Sequence, residues 1–232
     1  MWSVASSDSS ALVTGGTGRV GGAIVARLEA EGFRVLAAGR ADGDLARADE
    51  ARALVERAAA ELGGLDLVVH AASEGFAPRE LADVTEADWD AAHGATAKGA
   101  FFVAQAAAPH LRKSKGVLIL IEDVAAYEPW PLFAPHCAAK AAEAMLTRVL
   151  ARALAPDVRV CGVAPGTVAV EAGQEERRAA ESLLGRIGTP DDVADAVLYL
   201  ARADFVTGTS IVVDGGRLLA RRGGTRDNPP AP

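Results

Sequence analysis

Short apolar runs alternate with longer segments of helical periodicity along this chain of 232 residues. Each run has the length of a fully buried strand, and several of them end at glycine. Alanine is frequent in the longer segments and blurs their boundaries, because it fits any face of a helix. The predicted strands span residues 11–14, 33–38, 65–70, 116–121, 158–163 and 210–214, and the predicted helices span 20–31, 48–62, 86–111, 135–154 and 190–201.

This alternation predicts an α/β protein with a Rossmann-like fold, a doubly wound parallel sheet with helices on both faces. The connection after the second strand is unusually short, since only residues 41–43 separate Arg40 from Asp44. A β-α-β crossover needs at least about a dozen residues. We therefore expect this sheet to lack one helix and one edge strand after the second strand.

The composition narrows the class of protein. Half of the residues are hydrophobic and the formal net charge is -7, which argues against nucleic acid or an anionic membrane surface as a partner. No apolar run approaches the roughly 20 residues of a membrane span, and the two cysteines have no metal-ligand spacing. We expect a cytoplasmic protein without a metal site, with a flexible N-terminus (1–10), one dinucleotide-binding and catalytic domain (11–216) and a C-terminal tail (217–232).

A glycine-rich segment, Thr14-Gly-Gly-Thr-Gly-Arg-Val-Gly21, joins the first predicted strand to the first predicted helix. Glycines let the backbone approach a pyrophosphate, and the helix N-terminus supplies unpaired N–H groups and a partial positive charge. Between a strand and a helix this pattern indicates a dinucleotide site, although a glycine-rich turn without any ligand shares it.

Several further segments, in the same order along the chain, resemble the short-chain dehydrogenase/reductase family over residues 10–220. Asp44-Leu45 resembles the pair that holds adenine, residues 65–73 resemble the strand that ends in Asn-Asn-Ala-Gly, and residues 164–166 resemble the turn beside the nicotinamide. Residues 185–193 and 206–216 resemble the C-terminal signature. The resemblance implies a nicotinamide cofactor held by Gly15, Thr17, Arg19, Val20, Gly21, Arg40, Asp44, Leu45, His70, Ala71, Ala72, Lys140, Pro165, Gly166 and Val168.

The catalytic positions depart from that family's pattern. Its members use a Tyr-x-x-x-Lys pair with a serine and an asparagine, and here only the lysine, Lys140, is kept. His136 stands at the tyrosine position, Asp123 at the serine position and Thr96 at the asparagine position. Imidazole can donate a proton near neutral pH. A cation at Lys140 disfavours the protonated ring, whereas a carboxylate at Asp123 favours it.

Two interpretations of these substitutions stay open. One is an active reductase in which Asp123 and His136 form the acid relay and Lys140 binds the ribose. The other is a cofactor-binding protein with little or no turnover and a regulatory or structural role. For His136 itself, the alternative to a catalytic role is a partly exposed residue at the start of a helix. Asp123 and Arg19 also resemble the pteridine reductase branch, which would imply a pterin-like substrate; a small ketone is equally compatible with the sequence.

The end of the second strand bears on the choice of cofactor. An acidic residue there would hold the adenosine 2′-hydroxyl, but the chain has Gly39 followed by Arg40. Arg40 and Arg19 favour a bidentate contact with a 2′-phosphate, which predicts NADP(H). Asp42 and Asp44 lie nearby in sequence, so a solvated Arg40 is the alternative.

Three aromatic residues are candidates to contact a substrate. Trp130, Phe133 and Phe76 are candidates to stack on a flat small-molecule substrate, with hydrophobic loop packing as the alternative.

Members of the family usually pair through their two long helices. The alanine-rich segments 104–108 and 138–142 permit close packing of those helices, so we expect a homodimer or homotetramer.

Overall fold

The computed structural model describes residues 9–75, 77–168 and 173–220. Phe76, the first eight residues of the predicted N-terminal segment, residues 169–172 and most of the predicted C-terminal tail (221–232) lie outside the described residues.

Six parallel strands form one sheet in the described part of the chain, in the order β2-β1-β3-β4-β5-β6. Strands β1, β3 and β4 are buried along their whole length, as expected when helices cover both faces of a parallel sheet. The predicted α/β class and doubly wound sheet are confirmed. The strands are β1 (Ser10–Thr14), β2 (Arg34–Ala38), β3 (Leu67–His70), β4 (Val117–Ile121), β5 (Arg159–Pro165) and β6 (Ser210–Val213).

Helices pack on both faces of the sheet and enclose two hydrophobic cores. One core lies under α1 (Arg19–Ala30) and α7 (Pro190–Arg202). The other lies under α2 (Ala48–Leu62), α4 (Gly99–Ser114) and α5 (Ala134–Leu154). Two shorter helices are α3 (Glu86–His93) and α6 (Glu175–Ala179). Within the described residues, no helix is long and apolar enough to cross a membrane.

A π-helical segment, Gly94–Lys98, joins α3 to α4 and makes one long helical stretch of the two. It passes close to the loop before α2, since a Cβ on Gly94 would lie 2.9 Å from the Cβ of Ala46. Single-turn 3-10 helices span Arg40–Asp42, Leu81–Asp83, Val124–Ala126, Pro131–Phe133 and Arg217–Leu219.

The connection after β2 is as short as the sequence predicts. Only one 3-10 turn lies between β2 and α2, and within the described residues β2 is an edge strand. Asp42 closes the turn, because its carboxylate accepts the Gly39 N–H at 2.9 Å and an Arg57 hydrogen bond at 2.8 Å. The predicted loss of one helix and one edge strand at this place is therefore confirmed.

Residues just outside both predicted domain boundaries make contacts with the folded domain. Ser10 begins β1 and is buried, with its backbone N–H donating to Asp66 at 2.8 Å. Arg217 is largely buried and forms ion pairs with Glu128 and Glu181. The ordered contacts thus include residues at the edges of the predicted terminal segments, and the division at 10 and 217 stays a prediction.

Candidate active site

The glycine-rich loop lies at the carboxyl end of β1, where α1 begins. Gly15 has φ of +70°, and a Cβ there would lie 2.6 Å from the backbone of Ala71. A Cβ on Gly21 would lie 2.1 Å from the Gly15 carbonyl oxygen. Both positions therefore require glycine, and the loop stays thin enough for close approach to a diphosphate.

The start of α1 has the charge that a diphosphate needs. No acidic residue lies in its first turn, and Gly18 precedes it without a capping side chain. The leading amides of Arg19 and Val20 therefore sit at the positive end of the helix dipole, without a local carboxylate to compete for them. The residues present fit a dinucleotide cofactor at this loop.

Thr17 and Gly39 meet at the rim of this cleft. A Cβ on Gly39 would lie 2.4 Å from the Thr17 hydroxyl oxygen, so the threonine side chain occupies the space where an acidic side chain would begin. The carboxylate of Asp42 is turned back toward the Gly39 N–H and Arg57. Among the described residues, the end of β2 therefore places no carboxylate to receive a 2′-hydroxyl.

Arg40 is highly exposed, at 80 %, but it is not merely solvated. Its Nη2 donates to both carboxylate oxygens of Glu74, at 3.0 and 2.8 Å. Glu74 follows the end of β3, so the ion pair joins the ends of two strands at the cofactor edge of the sheet. Arg19 is exposed and has no ion pair among the described residues. A cofactor phosphate at this rim would compete with Glu74 for Arg40.

In the pair Asp44-Leu45, the leucine side chain lies in the core and the aspartate side chain lies in solvent. Leu45 is buried and packs against Gly99, where a Cβ would lie 3.2 Å from the leucine Cβ. Asp44 is exposed and accepts a hydrogen bond from the Ala46 N–H at 2.9 Å. Only the aspartate of this predicted adenine-binding pair therefore has its side chain available to a ligand.

His70 connects the glycine loop to the π-helix. Its ring is fully buried, with Nε2 3.0 Å from the Ala95 carbonyl oxygen and Nδ1 2.9 Å from the Thr14 hydroxyl. A carbonyl oxygen can only accept, so Nε2 holds the proton and Nδ1 accepts from Thr14. Burial, assisted by the Lys140 cation, lowers the pKa of His70 from 6.5 to about 4.

The remaining predicted cofactor positions lie along the same edge of the sheet. Ala71 and Ala72 follow β3 and are half-buried. Pro165 ends β5, and the Gly166 N–H donates to Val213 at 2.9 Å, which fixes the turn beside β6. Val168 packs on the core under α1 and α7. All these positions follow carboxyl ends of strands, where open α/β sheets bind their ligands.

Asp123 and His136 come together across the first turn of α5. The Nε2 atom of His136 lies 3.5 Å from Oδ2 of Asp123, while Oδ1 accepts the Ala125 N–H at 2.8 Å. His136 is 5 % exposed, so it is not an exposed residue at the start of a helix. The indole of Trp130 stacks on its ring, with centroids 6.2 Å apart.

Lys140 lies one helical turn beyond His136 on α5 and is also buried. Its ammonium donates to the Ile121 carbonyl oxygen at 2.8 Å and to Oε2 of Glu143 at 2.7 Å. Glu143 is fully buried, and this burial raises its pKa to about 7 against the opposing effect of the Lys140 cation. Thr96 is buried on the π-helix that packs against α5.

A second buried carboxylate, Glu122, follows β4 directly before Asp123. It accepts hydrogen bonds from Thr147 at 2.7 Å, Ser210 at 2.8 Å and the Tyr127 phenol at 3.0 Å. Its neutral partners satisfy both of its oxygens. The Tyr127 phenol is thereby directed toward Glu122, and burial and that carboxylate raise the pKa of Tyr127.

Arg217 links several segments around Trp130. Its Nε donates to Glu128 at 3.0 Å and its Nη1 donates to Glu181 at 2.6 Å. The guanidinium also lies over the Trp130 ring, 5.3 Å from its centroid. Trp130 in turn meets Phe133 edge-on at 6.1 Å. Loop packing therefore involves both aromatic side chains, and their stacking on a substrate stays a prediction.

Four residues of this region did not emerge from the sequence: Glu74, Glu122, Glu143 and Arg217. A signal existed for Glu143, because it lies seven residues after His136 and three after Lys140, on the same face of a helix. The ion pairs of Glu74 and Arg217 join segments far apart in the chain, and no local pattern indicates them.

Comparison with known proteins agrees with this fold. A family model described as enoyl-(acyl carrier protein) reductase matches residues 13–217. The chain is 34 % identical to the 3beta-hydroxysteroid dehydrogenase 1 of Eggerthella lenta, over 90 % of this chain and 93 % of that protein. It is 35 % identical to the 4-formylbenzenesulfonate dehydrogenase of Comamonas testosteroni, over 89 % and 96 % respectively.

A solved structure shares the architecture. It is described as a short-chain dehydrogenase/reductase, glucose/ribitol dehydrogenase, from Brucella melitensis. The TM-score is 0.82 at 28 % sequence identity, and the match covers 90 % of this chain and 96 % of the other.

Proposed function

The chain belongs to the short-chain dehydrogenase/reductase family of oxidoreductases, and on that premise we propose that it is an NADPH-dependent reductase of a small-molecule carbonyl or imine. The observation that carries the proposal is the meeting of Asp123, His136 and Lys140 at the carboxyl ends of the central strands, beside the glycine loop. An acid, its carboxylate partner and a ribose-binding cation are the groups that such a reduction requires.

When bound, the reduced nicotinamide would supply a hydride to the electrophilic carbon of the substrate. His136 would donate the proton to the oxygen or nitrogen on which negative charge develops. Asp123, 3.5 Å from the imidazole, would orient the ring and stabilise its protonated form. Lys140 would bind the ribose, and Trp130 stacked on the imidazole would keep water from one face of the acid.

The predicted pteridine reductase resemblance rests on Arg19 and Asp123 alone. The relatives in Eggerthella lenta and Comamonas testosteroni are a hydroxysteroid dehydrogenase and a formylbenzenesulfonate dehydrogenase, whose names indicate substrates with a carbonyl or alcohol carbon. We therefore place a small ketone first and a dihydropterin second among the substrates to be assayed.

The preference for NADPH follows from the rim of the cleft. The position that would carry a selective carboxylate is Gly39, and its Cβ space is filled by Thr17. Arg19 and Arg40 supply guanidinium groups that suit a 2′-phosphate. Glu74 opposes this preference while it holds Arg40. Dissociation constants for NADPH and NADH, titrated by fluorescence, test the assignment, and tighter binding of NADH would overturn it.

One observation favours the second candidate, a cofactor-binding protein with little turnover. The ammonium of Lys140 is already bonded to Glu143 and to the Ile121 carbonyl oxygen, so its reach toward a ribose is reduced. Together with the changes at the tyrosine, serine and asparagine positions, this would leave binding without chemistry.

Activity assays on matched variants separate the two candidates. NADPH oxidation is followed with ketones, diketones, quinones and dihydropterins. For the reductase, His136→Gln should lower kcat/KM about 10²- to 10⁴-fold, the usual contribution of a general acid. Asp123→Asn keeps the acceptor for the Ala125 N–H, removes the charge, and should also reduce kcat/KM. NADPH binding without turnover in the wild type, with turnover gained in His136→Tyr, would establish the second candidate instead.

We also propose a homodimer or homotetramer that is built on α4 and α5. The alanines of α4 are largely buried inside the chain, so they do not form the contact predicted from them. The exposed apolar residues on this side are Phe101, Met145 and Val149. Multi-angle light scattering would measure the assembly, and Met145→Glu should shift it toward the monomer if α5 forms the contact.

A further inference from the structure

The indole of Trp130 contacts both the proposed acid and a largely buried arginine. Its ring stacks on the imidazole of His136, with centroids 6.2 Å apart and planes 14° from parallel. The guanidinium carbon of Arg217 lies over the same indole, 5.3 Å from its centroid. The indole N–H is buried and donates to none of the described residues. Contacts of the ring, rather than a hydrogen bond, therefore hold the indole in place.

The backbone around Trp130 limits the path of this loop. Pro129 and Pro131 flank the tryptophan, and each proline fixes its own φ. Trp130 itself is extended, with φ of -113° and ψ of 98°, because a following proline disfavours the helical region. Rotation about the side-chain bonds is then the main freedom of the indole. A contact that fixes the indole thus also fixes how it lies on His136.

A tight turn after β6 brings Arg217 to this loop. The carboxylate of Asp214 accepts hydrogen bonds from the backbone N–H groups of Gly216 at 2.7 Å and Leu218 at 2.8 Å. Gly215 and Gly216 have φ of +62° and +82°, values that favour glycine. The hydrogen bonds and the two glycines together set the point from which the side chain of Arg217 starts.

The guanidinium of Arg217 is held on several sides and its side chain is only 12 % exposed. Nε donates to Glu128 at 3.0 Å, while Nη1 donates to Glu181 at 2.6 Å and to the Thr167 hydroxyl at 2.9 Å. Glu128 lies two residues before Trp130, so one loop receives both an ion pair and a ring contact from the arginine. A lysine would not supply this combination, because its ammonium is a point charge on a flexible stem, whereas a guanidinium is a planar fork.

We propose that Arg217 is a positioning residue, which keeps the Trp130 indole stacked on the imidazole of His136 and so fixes the ring of the proposed acid. The proposal deepens the proposed reductase function and rests on it for the role of His136. Proton donation depends on the direction of the imidazole, and a displacement of about 1 Å in a reacting group can cost about 10²-fold in rate. Arg217 begins the predicted C-terminal tail, so the sequence alone does not connect it with His136.

Quenching of Trp130 fluorescence by acrylamide tests the positioning without cofactor or substrate. The parent chain for this test carries phenylalanine at the other two tryptophans, Trp2 and Trp89. Arg217→Met keeps a long side chain but removes the charge and the hydrogen bonds. It should raise the quenching constant about twofold, because the indole loses the cation over its ring.

Arg178 supplies the matched control. Its guanidinium also pairs with Glu181, at 3.1 Å, but among the described residues the cation over the Trp130 ring is that of Arg217. Arg178→Met should therefore leave the quenching constant of Trp130 unchanged. An equal rise in both variants, or no rise in Arg217→Met, would overturn the proposal.

Two further variants keep the test decisive if Arg217→Met does not fold, since removal of a cation from buried carboxylates is destabilising. Arg217→Met combined with Glu128→Gln removes one of those charges, and Glu181 keeps its ion pair with Arg178. The quenching constant should again rise. Arg217→Lys keeps a cation without the planar fork and should give a smaller rise. A quenching constant equal to that of the parent in both variants would contradict the role of the guanidinium.

A double-mutant cycle measures whether Arg217 acts through Trp130. In an active enzyme, Arg217→Met and Trp130→Leu should each lower kcat about tenfold and keep the KM for NADPH within about twofold, because both disturb the direction of the acid. The double variant should lose no more than either single variant, as expected of residues that share one effect. Additive losses, or a rise in KM without a fall in kcat, would show a merely structural role and overturn the proposal.

The two kinds of measurement separate this proposal from the proposed function. If the wild type turns over no substrate but Arg217→Met exposes Trp130 to the quencher, the positioning of the indole stands and the reductase assignment fails. If turnover depends on His136 while the quenching of Trp130 is the same with and without Arg217, the reductase assignment stands and this proposal fails.

Discussion

Acidification should destabilise this protein through His70. The ring is completely buried between the Thr14 hydroxyl and the Ala95 carbonyl oxygen. Its burial beside the Lys140 cation lowers the pKa of His70 from 6.5 to about 4. The unfolded chain therefore takes up a proton below pH 6.5, whereas the folded chain resists doing so until about pH 4.

The sign and size of the effect follow from this difference. Because the unfolded state binds more protons to His70 in this window, the contribution of His70 to the free energy of unfolding falls as the pH falls from 6.5 to 4. Each pKa unit corresponds to about 1.4 kcal/mol, so the full loss is about 3 kcal/mol and about 2 kcal/mol of it occurs by pH 5. That is a large share of the stability of an ordinary domain.

Urea unfolding at pH 7, 6 and 5, at one protein concentration, measures the effect. The variant His70→Asn keeps an acceptor for Thr14 but cannot be protonated, so its stability should fall by about 2 kcal/mol less than that of the wild type between pH 7 and 5. Glu143 acts in the opposite direction, since its raised pKa stabilises the folded state as the pH falls from 7. The comparison of two chains that both contain Glu143 removes that contribution.

A surface histidine serves as the control. The imidazole of His93 bonds the Trp89 carbonyl oxygen on the exposed side of α3, and His93→Asn should reproduce the wild-type pH dependence. Parallel loss of stability in the wild type and His70→Asn would refute the reasoning. It would mean that the buried ring is not the group that resists protonation.

Three further substitutions test contacts around the site. Glu74→Gln frees the guanidinium that it holds at the rim and should tighten NADPH binding about fivefold, as removal of a surface ion pair allows, with no gain for NADH. Gly39→Asp places a Cβ 2.4 Å from the Thr17 hydroxyl and should lower the free energy of unfolding by about 1–3 kcal/mol; Thr17→Gly in the same chain should restore it. Gly162→Ala places a Cβ 2.0 Å from Glu122 and should cost about 1–3 kcal/mol, which Glu122→Ser should relieve in thermal unfolding.

The fold could be predicted from the sequence because its determinants are local. Apolar runs of strand length, separated by helical segments, define a parallel sheet. Chain length alone excludes a crossover between Arg40 and Asp44, and the structure has one 3-10 turn there. Thr189 directly precedes the last predicted helix, where a threonine favours an N-cap, and it accepts the Asp192 N–H in the structure.

The site was only partly predictable, for a physical reason. Spacing brings His136 and Lys140 to one helix face, and Asp123 approaches His136 from the end of the preceding strand, β4. The sequence does not show that this face is buried, because alanines surround it on all sides of α5. Without burial, Glu143 is an ordinary helix-surface residue. With burial, it becomes the counterion of Lys140.

That burial limits what the pair says about function. A fully buried carboxylate is destabilising unless its charge is used or balanced, and here burial raises the pKa of Glu143 to about 7. The same pair restricts the reach of the Lys140 ammonium toward a ribose, which a reductase needs as much as a cofactor-binding protein does. The pair is therefore compatible with both candidates, and turnover by the wild type, with its loss in the His136 variants, decides between them.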